Sequence, residues 1–113
     1  MKLGVFGGTF DPVHLGHLIL AEEALFQLSL DRIIWVLTPN PPHKICHAIL
    51  SWEKRLQMLS MAVAGNTSFE ISYVDVLREP PHYALDTIKL LKEQYQGDQL
   101  ILLMGSDSLR DIP

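Results

Sequence analysis

The chain has 113 residues, 48% of them hydrophobic and 19% charged, which suits one small domain with a core and excludes compositional disorder. A net charge of −4 argues against a broad basic face for nucleic acid, and a lone cysteine, Cys46, excludes an internal disulfide framework or a cysteine zinc cage. The apolar stretches are strand- or helix-sized and broken by polar residues, and residues 1–6 are too short an apolar run for a signal peptide, so a soluble cytoplasmic domain is the expectation.

Strand and helix patterns alternate along the chain. Residues 3–6 form a short apolar run ending at Gly7 and Gly8, which reads as a buried strand. Residues 16–28 read as a helix, with Leu18, Ala21, Leu25 and Leu28 at three- and four-residue spacing. Residues 33–37 are a second buried strand, stopped by Pro39. Pro41 and Pro42 continue that loop. Ser51 can cap a second helix with Trp52, Leu56, Leu59 and Val63 on its apolar face, ending at Gly65. Residues 69–76 alternate enough for a third strand. After a loop at Pro80 and Pro81, a third helix carries Ala84, Ile88, Leu91 and Tyr95 and stops at Gly97. Residues 100–104 are a fourth buried strand, followed by a second glycine-bearing turn at Gly105, Ser106 and Asp107. Met58, Met61, Trp35 and Trp52 read as core, and Lys89, Lys92 and Glu93 as a solvated helix face.

Strands apolar on both faces and joined by helices imply a parallel sheet covered on both sides. The expected fold is α/β: an open, doubly wound, Rossmann-like sheet. A closed eight-stranded barrel needs roughly twice this length.

The segment between the first strand and the first helix, residues 7–17, carries the chemistry. Ligands bind open parallel sheets beyond the carboxyl ends of the strands. Gly7 and Gly8 would let the backbone bend and approach a ligand closely. Thr9 offers a hydroxyl and an N–H. The helix starting near His14 points its N–H groups and positive dipole end at the same place, which suits phosphate. The segment is neither a Walker A loop nor a G-x-G-x-x-G fingerprint. Lys2, at the far end of the strand, is the only basic side chain before Arg32. If phosphate binds here, imidazoles, amides and a metal must do what a loop lysine does elsewhere. His14 and His17 stand one helical turn apart, so both can face one ligand and donate to its oxygens. The structural alternative is that both merely cap the helix.

Residues 8–17, Gly-Thr-Phe-Asp-Pro-Val-His-Leu-Gly-His, resemble the signature of the nucleotidyltransferase α/β-phosphodiesterase superfamily. Within it the chain is similar to the bacterial nicotinate mononucleotide adenylyltransferases. Pro41-Pro42-His43-Lys44 and Gly105-Ser106-Asp107-Ser108-Leu109 add to that likeness, and the three motifs fall in the family's order. The resemblance implies adenylyl transfer from ATP to nicotinate mononucleotide, giving deamido-NAD and pyrophosphate, with Mg2+ carried by ATP. It implies that His14 and His17 hold the triphosphate, together with Gly8, Thr9 and Phe10. Gly105 and Asp107 would line the adenosine side, with the Asp107 carboxylate accepting from the ribose diol. Lys44, Tyr83 and Thr87 would face nicotinate mononucleotide. Asp11 would brace the loop. Helix N-capping is the competing reading of Asp107.

The family ends in a Ser/Thr-rich, Arg-bearing motif that grips the triphosphate, and only six residues follow Asp107 here. The expectation is thus one domain over residues 1–113, incomplete at its carboxyl end, with an exposed apolar sheet edge that would promote self-association. Three alternatives stand beside the main reading. One is another nucleotidyltransferase, for pantetheine phosphate or cytidine triphosphate. One is a nucleotide-binding unit inactive as this chain. The last is a metal module built on His14 and His17 with His43 or His47; Cys46 and His47 match no motif.

Overall fold

The computed structural model describes residues 1–39, 50–77 and 84–103. Seven elements follow one another: β1 (Lys2–Gly8), α1 (Leu15–Gln27), β2 (Arg32–Leu37), α2 (Trp52–Val63), β3 (Phe69–Ser72), α3 (Ala84–Gln94) and β4 (Gln99–Leu103). The strands form one sheet in the order β3-β2-β1-β4, and every pairing is parallel. This is the open Rossmann-like arrangement the strand and helix patterns predict.

Period-two alternation sends strand residues to two faces. Phe6, Ile33, Trp35, Leu37 and Leu103 pack on one side with Ala21 of α1 and with Leu59 and Val63 of α2. Leu3, Val5, Ile34 and Val36 pack on the other with Leu91 of α3, flanked by Ile88 and Tyr95. Handedness explains the division. The steps β1-α1-β2 and β2-α2-β3 run one way across the sheet, and β3-α3-β4 runs back past β1. Right-handed crossovers then place α3 on the opposite face. No helix of the described residues is long and apolar enough to cross a membrane.

Two sequence expectations need correction. The third strand ends at Ser72 rather than at residue 76. The Ser72 hydroxyl accepts the Val74 N–H at 3.4 Å, and the Leu77 N–H donates to the Tyr73 carbonyl at 3.0 Å, so the chain turns there. That turn buries Asp75, which is 2% exposed. Met58 and Met61 are not core: they are 40% and 73% exposed. The buried stripe of α2 is Arg55, Leu59 and Val63, at four-residue spacing, and this register turns both methionines outward.

The amino-terminal edge of the sheet is tied by polar contacts. The Met1 ammonium donates to Asp98 at 2.7 Å, and Lys2 Nζ donates to the Leu28 carbonyl at 2.8 Å. Lys2 therefore stands at the end of α1, away from the residue 9–14 segment, as its sequence position implies. The Tyr95 hydroxyl donates to Glu70 at 2.7 Å, and Arg32 lies 3.5 Å from the same carboxylate. Burial first, and then the bond to Glu70, push the Tyr95 hydroxyl from 10.0 up to about 12. The folded chain thus holds a proton that the unfolded chain releases. The resulting stability is fully present below pH 10 and is lost as pH rises through about 12. Tyr95→Phe should flatten the decline of unfolding free energy over that window, measured by urea titration at successive pH values. An unchanged decline would contradict the assignment.

Candidate functional site

β1 is central in the sheet: β2 and β3 lie on one side of it and β4 on the other. Strand order reverses beside β1, so its carboxyl end opens onto the crevice where sheets of this kind bind ligands. The segment carrying His14 leaves β1 at that point and enters α1.

His14 is the N-cap of α1, in extended conformation (φ −141°, ψ 177°). Its Nδ1 accepts the Gly16 N–H at 3.0 Å, and its own N–H donates to Nδ1 of His17 at 3.0 Å. The two imidazoles thereby form a reciprocal capping box and stack with centroids 3.8 Å apart. Capping is one of the two readings the spacing allows, and the structure shows it. It also bears on the other. Since each Nδ1 accepts from backbone, the hydrogen of each neutral ring sits on Nε2, so each imidazole is a donor at its outer nitrogen. Phe10 backs His17 edge-on at 5.1 Å, which fixes the ring's tilt. The first turn of α1 holds no acidic residue, so its positive end is not offset there.

The glycine of the H-x-G-H pattern has a steric role. A Cβ built on Gly16 would lie 2.8 Å from Cε1 and 3.0 Å from Nδ1 of His14. Gly16→Ala should therefore displace the His14 ring from its cap. The expected result is a cost of about 1 kcal/mol in stability from the lost cap. Thermal unfolding reads that cost, and the His14 ring proton shifts read the displacement. An alanine variant with the same His14 ring shifts as the parent would contradict this.

The bend after β1 comes from an unexpected residue. Gly7 and Gly8 continue the strand rather than make the turn, and Gly8 stays in register with Leu37. Phe10 makes it, at φ +47°, a left-handed conformation costing roughly 1–2 kcal/mol for a residue with a Cβ. Burial holds it there: Phe10 is 2% exposed, with Phe6 and Trp35 each 5.4 Å away. Any ligand contact at Phe10 therefore falls to its backbone.

Arg55 is the residue that sequence reading misses. It is 1% exposed, on the inner face of α2, whose N-cap Ser51 accepts the Lys54 N–H at 3.3 Å. Its guanidinium donates to four carbonyls: Leu50 at 3.0 Å, Thr9 at 2.9 Å, Thr38 at 3.1 Å and Pro39 at 2.7 Å. Burial pulls this guanidinium below its ordinary range, and the carboxylates of Asp11 and Glu53 oppose that. Its only signal in the sequence is its place four residues before Leu59 and eight before Val63. Asp11 braces the same region by accepting the Leu50 N–H at 3.2 Å.

A second polar group lies along the carboxyl edge. Thr38 donates its N–H to the Gly8 carbonyl at 2.8 Å, and its hydroxyl reaches Asp75 at 3.5 Å. The Thr87 hydroxyl donates to Asp75 at 2.7 Å, and Thr87 is 7% exposed. The structure thus gives the Thr87 hydroxyl a buried carboxylate as partner. Lys44, Tyr83, Gly105 and Asp107 lie outside the described residues, as do His43, Cys46 and His47. Among the described residues, no three His, Cys, Asp or Glu are grouped to hold a metal ion.

The site is thus a helix N-terminus and two imidazole donors at the switch point of a parallel sheet. The sequence profile of the cytidylyltransferase-like family matches residues 5–113. The chain belongs to the cytidylyltransferase-like family. It is 49% identical over 112 residues to a probable nicotinate-nucleotide adenylyltransferase of Thermomicrobium roseum, covering 99% of this chain and 52% of that protein. It is 43% identical over 112 residues to the nicotinate-nucleotide adenylyltransferase of Bacillus subtilis, covering 99% of this chain and 59% of that one. The chain spans about half the length of the relatives it matches. Its fold is that of Plasmodium falciparum nicotinic acid mononucleotide adenylyltransferase complexed with NaAD, with a TM-score of 0.77 at 18% identity. That match covers 98% of this chain and 55% of the other.

Proposed function

We propose that this chain supplies the nucleotide-binding crevice of a nicotinate mononucleotide adenylyltransferase. In the reaction, a phosphate oxygen of nicotinate mononucleotide attacks the α-phosphorus of ATP. The new P–O bond forms as the bond to the β-phosphate bridging oxygen breaks, and pyrophosphate leaves with that electron pair. The products are deamido-NAD and pyrophosphate. The nucleophile already carries negative charge, so catalysis is mainly positioning and charge stabilisation.

One observation carries this reading: the capping box at the N-terminus of α1, in which Nδ1 of both His14 and His17 accepts a backbone N–H, so that Nε2 is the donor nitrogen of each neutral ring. Two such donors suit the charge that builds on the α-phosphate and the leaving pyrophosphate. The names of the relatives, nicotinate-nucleotide adenylyltransferases, support the choice of reaction. Gly8, Thr9 and Phe10 would contribute backbone, or in Thr9 a hydroxyl, to the same triphosphate. Gly105 and Asp107 would meet the adenosine. Lys44, Tyr83 and Thr87 would meet nicotinate mononucleotide, with the Thr87 hydroxyl oriented by Asp75.

Magnesium would arrive on ATP. The described donors at this mouth are imidazole and backbone N–H groups, which suit anionic oxygens rather than a bare cation. The ion would neutralise phosphate charge. A soluble cytoplasmic setting fits ATP as substrate.

A substrate panel tests the proposal. ATP with nicotinate mononucleotide should give deamido-NAD and pyrophosphate. Phosphopantetheine with ATP, and cytidine triphosphate with any acceptor, should not react. Isothermal titration of the chain with MgATP separates binding from turnover. Binding without turnover places this chain as the nucleotide-binding part of the enzyme. Reaction with phosphopantetheine or cytidine triphosphate instead would overturn the choice of substrate.

A further inference from the structure

The cation nearest the signature segment in the described structure faces inward. Arg55 holds carbonyls from three separate stretches: Thr9 after β1, Thr38 and Pro39 after β2, and Leu50 just before α2. One planar group thus holds both Pro39 and Leu50 near the start of α2. Thr38 passes the constraint on, through its N–H to Gly8 and its hydroxyl to Asp75.

Stability alone does not call for an arginine here. A buried cation costs desolvation, and an apolar side chain of similar volume is often neutral or better in such a position. Leu59 and Val63 show that the rest of the stripe is apolar. What arginine supplies is a rigid fork that meets four carbonyls in fixed directions. Lysine has three donors on one flexible point and cannot reproduce that geometry. All four carbonyls lie on the connections that lead into α1 and α2, at the carboxyl edge of the sheet, and none lies at the amino edge.

We propose that Arg55 is a positioning residue for the phosphate site. It sets the spacing between the residue 9–14 segment and the β2–α2 connection, and so the geometry in which His14 and His17 meet a triphosphate. The statement rests on the nucleotide-binding reading above for its ligand, but the clamp itself can be tested without one.

The experiment compares the chain with Arg55→Met and Arg55→Lys, at a temperature where each is folded by circular dichroism. Amide hydrogen exchange and MgATP titration are the two readouts. Amides of residues 9–11 and Thr38 should exchange at least about tenfold faster in both variants, while Val5 and Ile34 stay protected. MgATP affinity should fall by about tenfold or more in Arg55→Met, and Arg55→Lys should recover only part of it. Full recovery in Arg55→Lys would mean that charge alone matters and would overturn the proposal. So would uniform loss of protection across the sheet with unchanged affinity. If the parent chain binds no MgATP, the nucleotide reading fails, and the exchange map alone decides the clamp. If neither variant folds, the parent decides it. Its Arg55 Nε–H should be protected from exchange and should shift on adding MgATP, although Arg55 is buried from the ligand. A fast-exchanging or unmoved signal would overturn the proposal.

Discussion

In an enzyme of its relatives' full length, His17→Gln is expected to leave α1 formed and to lower adenylyl transfer by roughly 10²–10³-fold, the usual loss when one donor to developing charge is misplaced. Glutamine is the preferred partner at the third helical position of a capping box, so it can still accept the His14 N–H. Its amide NH2 can still donate, but not from the fixed place of the ring's Nε2, and the aromatic edge contact with Phe10 is lost. His17→Ala should lose the same activity and also about 1 kcal/mol of stability, because the His14 N–H loses its acceptor. Turnover and MgATP affinity, measured beside thermal unfolding, separate the two effects. A folded glutamine variant with parental affinity and turnover would remove His17 from the site.

Trp35→Ala should cost roughly 3–5 kcal/mol, a large part of the total stability of a domain this small. Trp35 is wholly buried in the middle of β2. Its ring meets Phe6 at 4.9 Å, Phe10 at 5.4 Å and Phe69 at 5.3 Å. The cavity would open directly beneath Phe10, so the residue whose strained backbone makes the bend would lose its support. Trp35→Phe should cost markedly less. Among the described residues the indole N–H has no hydrogen-bond partner, and phenylalanine removes that buried donor along with some volume. Urea unfolding of the two variants measures both. A loss below about 1 kcal/mol for the alanine variant would contradict this account of the core.

Much of the fold is legible in the sequence because its signals are periodic and local. Buried runs such as residues 33–37 have no polar face, and a parallel sheet with helices on both sides is the arrangement that covers them. The placement of His14 and His17 at the mouth follows from their position between the first strand and the first helix. Features that depend on contacts between distant segments are not legible this way. Arg55 belongs to no motif, and charged side chains on amphipathic helices are usually solvated. Its partners Thr9 and Thr38 are far away in sequence and are backbone groups that any residue carries. Asp75 sits in a stretch whose alternation suggests a strand, and only the Ser72 turn buries it against Thr87. The bend at Phe10 was hidden by the two glycines before it, which offer a simpler turn than the one the core enforces.

The central claim is that the N-terminus of α1, with its two stacked imidazoles, is a triphosphate site. The most direct measurement is a magnetic resonance titration of the chain with MgATP, following backbone amides and the histidine ring protons. The account predicts one saturable site. Shifts should be confined to Thr9, His14, Gly16, His17, Thr38 and their neighbours at the carboxyl edge, with Asp31 and Asp98 at the amino edge unmoved. No saturable shift at millimolar MgATP, or shifts centred on the amino edge, would contradict it.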